Sequence, residues 1–201
     1  ATRYQPRAAH RESFSTPDKP NAVLLARQNL SLNVTDADAP ALSIAVDILG
    51  GDPLKSRLAD RIRQREGLSY GVSAGLRADD SRSGRDDNGS LTVQAIAAPE
   101  NMGKVERALR EELARLVADG VTEQELRDAV AARMVQREQS RASDGAVAGL
   151  LQELLDYDRS MAFVIERDAA YRSLTVDRVN AAIRTHLKPE SLSVFVAGDF
   201  K

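Results

Sequence analysis

Gly67-Leu68-Ser69-Tyr70-Gly71 fits the Gly-x-Ser-x-Gly pattern in which a serine on a sharp turn acts as a nucleophile. That chemistry needs a strand before the serine, a helix after it and a histidine within hydrogen-bond reach. Here the order is reversed, with a charged helical stretch before Ser69 and an alternating stretch after it. His10 and His186 are the only histidines, and neither belongs to His-Glu-x-x-His or His-x-x-Glu-His, so no zinc-peptidase motif is present. Both read as surface histidines, His186 in the last turn of a helix, where a cation is favoured. A serine hydrolase with His186 as base is therefore the last-ranked reading.

Other chemistries fall away on spacing. Asp86-Asp87-Asn88-Gly89 resembles part of a calcium loop, but Gly84 stands at the first ligand position and Ala95 where a bidentate Glu belongs. The stretch reads instead as a solvated hairpin tip. Gly50-Gly51 has neither the spacing of a dinucleotide fingerprint nor a phosphate-binding lysine. The chain has no cysteine, which removes disulfides, thiolate metal sites and cysteine nucleophiles. A formal charge of −2 and 4% aromatic residues provide neither an electrostatic drive toward nucleic acid nor stacking platforms for it. The apolar runs are about half the roughly 20 residues that span a bilayer. The chain starts at Ala1 rather than Met and reads as a piece of something longer.

The elements that would position any site are legible from periodicity. Residues 1–11 read as a lead-in to a single domain over 1–201, with a short strand at Glu12–Ser15 and a longer one from Ala22 to Leu32. Ala41–Leu49 is almost wholly apolar, and its alanines and the Gly50-Gly51 stop favour helix over strand. Leu54, Leu58 and Ile62 form the stripe of an amphipathic helix over Leu54–Arg65, ended by Gly67. Tyr70, Val72, Ala74 and Leu76 alternate with small residues, the period of a strand with room on its second face. Ser90–Ala98 reads as its partner across a loop at 79–89. The second half is helical: Asn101–Ala118, a helix opened by the capping box Thr122-x-x-Glu125 and running to about Arg141, then Gly145–Tyr157, Met161–Ser173 and Val176–Leu187. Ser191–Ala197 returns to strand. Strands at both ends around a run of helices predict an α+β fold, a mostly antiparallel sheet with helices on one face.

The stretch from Ile48-Leu49-Gly50-Gly51 through Ser56-Arg57-Leu58-Ala59-Asp60-Arg61-Ile62 to Arg65-Glu66-Gly67-Leu68-Ser69-Tyr70-Gly71-Val72 resembles the C-terminal, non-catalytic half-domain of the pitrilysin/insulinase family of zinc metallopeptidases, the inverzincins. Ala98-Pro99-Glu100, Gly120-Val121-Thr122-x-x-Glu125-Leu126 and Ala197-Gly198-Asp199 extend the likeness from about Phe14 to Lys201. The resemblance implies a metallopeptidase half-domain fold of the processing-peptidase type and a division of labour. One half holds zinc, and the other, lacking the ligands, closes over a peptide substrate. This chain would be that second half: no enzyme by itself, with no catalytic residue, metal ligand or cofactor of its own, and with zinc in a catalytic partner half in the same parent chain or another subunit.

The family's second-half signature, an arginine followed seven residues later by a tyrosine, maps onto Arg63 and Tyr70 as substrate-binding residues. The resemblance gives them the substrate backbone and the oxyanion to hold. Residue chemistry alone reads Arg63 as one of several solvated arginines and Tyr70 as a core anchor of its strand. A structural or assembly homologue without a peptidase role is the alternative. The likeness is greatest to large bacterial zinc proteases, which implies a periplasmic location; no nucleic acid or membrane partner is expected.

Overall fold

The computed structural model describes residues 3–80 and 86–200. Five strands, β1 (Arg11–Ser15), β2 (Ala22–Ser31), β3 (Gly71–Arg77), β4 (Asn88–Ala97) and β5 (Ser193–Gly198), form one sheet in the order β1-β5-β2-β4-β3. Only the β1–β5 pairing is parallel. The others are antiparallel. Alternation decides the two faces. Ala22, Leu24, Ala26 and Leu30 of β2 are buried with Leu91, Val93 and Ala95 of β4 and Val194 and Val196 of β5. Gln28, also on the buried face, is satisfied at the end of the last helix: its Nε2 donates to the His186 carbonyl at 2.8 Å, and its Oε1 accepts from the Lys188 N–H at 3.0 Å. The opposite face leaves Val23, Leu25, Ile96 and Phe14 open to solvent.

The helices are α1 (Ala39–Val46), α2 (Met102–Asp119), α3 (Glu123–Gln139), α4 (Asp144–Asp156), α5 (Met161–Arg172) and α6 (Val176–His186). The apolar stripe Val105, Leu109, Leu113 and Leu116 of α2 joins Val179 and Ile183 of α6 and the buried apolar residues of α1 in one core with the sheet. This is the expected α+β arrangement with helices on one face. The Thr122 capping box forms as the sequence predicts, with the Thr122 hydroxyl and the Glu125 carboxylate exchanging backbone N–H groups. At α1, Pro40 occupies the first turn, but the carboxylate of Asp38, at the N-cap, makes no cap. It is drawn instead to His186 Nε2 at 3.1 Å and to Arg178 at 2.8 Å. His186 is thereby half-buried against Asp38 rather than at the surface.

The segment between α1 and β3 is more irregular than its pattern suggests. α1 runs on into a wide, π-type turn at Asp47–Gly51, where a Cβ on Gly50 would lie 2.6 Å from the Ala74 Cβ and backbone nitrogen of β3. Leu54 is 58% exposed and outside the helix. The Asp52 carboxylate accepts the N–H groups of Leu54 and Lys55 at 2.7 and 2.9 Å, so these residues form a turn. Helical backbone begins only at Arg57 and widens to π-type over Ala59–Arg65, keeping Leu58 and Ile62 in the core. Of the loop between β3 and β4, residues 81–85 lie outside the described residues, Gly84 of the calcium-loop comparison among them.

Candidate functional site

The Ala59–Arg65 segment packs beneath β3, and the chain turns back on itself between them. The N–H of Leu68 donates to the Ile62 carbonyl at 2.8 Å, and Gly67 takes a φ of +60°, which suits glycine. Tyr70 then enters the sheet with its N–H on the Ile96 carbonyl at 2.9 Å. This closure sets the site. Arg63 is one residue beyond Ile62, and Tyr70 is two residues beyond Leu68, at most about 7 Å of chain. Both side chains therefore stand at one corner of the fold, where helix end meets strand start.

Four arginines crowd this segment, and their partners separate them. Arg57 places Nε 2.6 Å and Nη2 2.8 Å from the Glu125 carboxylate, and Nη2 also donates to the Gly120 carbonyl at 2.8 Å. Arg61 is a hub joining Glu66 at 2.9 Å, Glu111, and the buried Glu112 at 3.1 Å. Arg65 holds Asp60 at 2.7 Å. Arg63 alone of the four has no carboxylate among the described residues; its one hydrogen bond goes from Nη1 to the Pro53 carbonyl at 3.2 Å. The charges follow suit. Hydrogen bonding to Glu125 raises the Arg57 pKa, and that to Glu111 and Glu66 raises the Arg61 pKa. Burial opposes ionisation of Glu125, but Arg57 and the Thr122 N–H outweigh it and hold its carboxyl below the ordinary value.

Tyr70 is no core anchor. Its ring is 72% exposed, and its hydroxyl makes no hydrogen bond among the described residues. It opens β3, an edge strand, whose Gly71 and Gly75 have nothing within 4 Å of where a Cβ would stand. A guanidinium with most of its five donors free and a free phenol can both donate to carbonyl oxygens of an extended peptide.

Ser69 serves a different purpose. It is 8% exposed, its Oγ lies 2.8 Å from the carbonyls of both Gly71 and Ile96, and it accepts the Gly71 N–H at 3.1 Å. Neither histidine reaches it: His10 pairs with Glu12 at 3.3 Å and His186 with Asp38. Ser69 is thus a strand-start brace. Among the described residues no group of three His, Asp or Glu side chains could hold a metal ion. No described helix is long and apolar enough to cross a membrane.

Sequence reasoning missed the frame around the site. Arg57–Glu125, Arg61–Glu112 and Arg133–Asp47 join residues 51 to 86 positions apart, with no local signal. Pairs at helical spacing, such as Glu112 with Arg115 at 3.0 Å, were within reach of a pattern.

Comparison with known proteins shows the family and the fold. A family model described as the peptidase M16 inactive domain matches residues 3–133. An uncharacterized zinc protease of Mycobacterium leprae is 38% identical over 87 residues, 43% of this chain and 18% of that protein. The chain thus matches less than a fifth of the length of this curated relative. Among solved structures, a peptidase M16 inactive domain from Pseudomonas fluorescens superposes with a TM-score of 0.81 at 24% identity, covering 95% of this chain and 44% of that one. The periplasmic protease PqqL of Escherichia coli does so with a TM-score of 0.75 at 21% identity, covering 94% and 20%. At these identities the two structures speak for the fold alone.

Proposed function

The chain belongs to the family of peptidase M16 inactive domains, and from that premise we propose that it is the substrate-binding half of a two-half zinc metallopeptidase. It is not an enzyme by itself. In this reading Arg63 donates to backbone carbonyls of an extended peptide, and Tyr70 donates its phenolic hydrogen to the oxygen that gains charge as the scissile carbonyl is attacked. The facing half would supply the zinc chemistry, activation of water and polarisation of that carbonyl.

One observation carries the reading. Every other arginine of the 57–65 segment is committed to a carboxylate, whereas Arg63, exposed and bonded only to the Pro53 carbonyl, and the exposed Tyr70 have no carboxylate or side-chain partner among the described residues. Maintaining an exposed donor pair beside an edge strand with bare glycines suits recognition of a peptide main chain. The flanking ion pairs support this by holding the segment, so little conformational freedom is lost when substrate binds. A periplasmic location belongs to the same reading, supported by the fold shared with a periplasmic protease.

The test is cleavage of a fluorogenic peptide by this chain alone, by its zinc-bearing half alone, and by the two together. Activity only on mixing is expected. In the complete enzyme, Arg63→Ala and Tyr70→Phe should each lower kcat/KM by roughly 100-fold or more, the usual loss for one transition-state donor, with circular dichroism unchanged. Full turnover in both variants would remove the roles given to these residues. Halves that associate without any turnover would make the chain an assembly scaffold instead.

A further inference from the structure

At the opposite end of β3 from Tyr70, helices α3, α4 and α5 leave a hollow of about 390 Å³ between them. That is within the range of sites that take small ligands or the end of a peptide. Its apolar wall is Leu150 and Leu154 of α4 with Phe163, Val164 and Tyr171 of α5. Four guanidiniums line the rest: Arg137, Arg141, Arg159 and Arg167.

Three of the four have a carboxylate partner, although Arg137 and Arg141 have only one between them. Arg137 and Arg141 share the buried Asp168, the latter at 2.9 Å. Arg159 lies 2.5 Å from Asp80. Arg167 is different, because among the described residues its only hydrogen bond is to the Val34 carbonyl and no carboxylate pairs with it. Glu153, the other carboxylate on the lining, is exposed and bonds to none of the four. Arg167 also lies over the Phe163 ring at 5.1 Å from its centroid, and Arg159 lies over the same ring at 4.3 Å. The ring attracts both cations, but it cannot remove their mutual repulsion, and Asp80 neutralises only one of them. A half-buried guanidinium without a counter-ion, facing an apolar hollow, suits a carboxylate borne on an apolar group.

We propose that this hollow binds the C-terminal end of a peptide whose last residue is apolar. Arg167 donates to the terminal carboxylate, and Leu150, Leu154 and Phe163 enclose the side chain. Such a site captures a peptide end away from the Arg63–Tyr70 corner and requires nothing of the chemistry proposed there.

Calorimetric titration of the 201-residue chain with N-acetyl-Ala-Leu, with its C-terminal amide and with inorganic phosphate tests this. The free acid should bind at least tenfold more tightly than the amide and than phosphate, since a charge-assisted bond and apolar enclosure act together only in the acid. Arg167→Gln should weaken the acid at least tenfold. Leu150→Glu, which adds a like charge to the ligand's at the apolar wall, should do the same without touching Arg167; circular dichroism reports whether each variant is folded. Equal affinity for acid and amide, phosphate binding as tight as the acid's, or unchanged affinity in the folded variants would each overturn the proposal. Arg63 and Tyr70 are intact in both variants, so weakening by Arg167→Gln and Leu150→Glu reports on the hollow and not on that corner.

Discussion

The clamp that holds the site-bearing segment should be measurable by itself. Arg57 ties the start of the 57–65 segment to the α2–α3 turn through two bonds to Glu125 and one to the Gly120 carbonyl, all between 2.6 and 2.8 Å. Arg57→Met keeps most of the aliphatic stem and removes all three. Both side chains keep less than a third of their surface, so the pair is only partly screened. Glu125 is left with its capping-box partners, which softens the loss. A net destabilisation of about 2 kcal/mol follows, within the range for hydrogen bonds to charged groups. For a domain of this size that is a fall in Tm of roughly 4–8 °C. A double-mutant cycle with Glu125→Gln, read by urea denaturation at pH 7, should give a coupling of about 1–2 kcal/mol. The sign with pH is also determined. The folded-state pKa of Glu125 is lowered from 4.5, so its contribution is complete above that value and is lost as pH falls through the lowered one. Coupling should therefore shrink in acid. A coupling under about 0.3 kcal/mol at pH 7, or one that persists in acid, would falsify the clamp.

Two further outcomes are expected. Asp168 is buried between Arg137 and Arg141; burial opposes its ionisation, yet the two guanidiniums win and its pKa is lowered from 3.8. Asp168→Asn should cost about 2–3 kcal/mol at pH 7, and denaturation curves should show wild type and variant converging as pH drops below 3.8. Ser69→Ala, which removes the brace between Gly71 and Ile96, should lower stability by about 1 kcal/mol in a thermal melt while the complete enzyme keeps its peptide turnover. Loss of turnover in a folded Ser69→Ala protein would restore the nucleophile reading.

Repeating patterns made much of the architecture legible from residues alone. The period-3.6 stripe of α2, the Thr122-x-x-Glu125 box, the apolar run of β2 and the period-2 alternation of β3 each depend on neighbours within a turn or two, so local order reveals them. The likeness around Arg65-Glu66-Gly67-Leu68-Ser69-Tyr70-Gly71-Val72 pointed to the family. Local pattern failed where a side chain redirected the backbone. The Asp52 carboxylate captured two N–H groups and turned Leu54 out to solvent, although Leu54 continues the stripe of Leu58 and Ile62. Nor could spacing tell Arg63 from Arg57 and Arg61. All three lie within seven residues, but the carboxylates that engage Arg57 and Arg61 come mainly from α2 and α3, 50 to 68 residues further along the chain. Which arginine is left without a carboxylate is a property of helices brought together in space. Chain periodicity supplies the elements, because backbone geometry repeats. Only tertiary contact decides which charges are spent on holding them and which are left to bind, because charge pairing depends on distance through space rather than along the sequence.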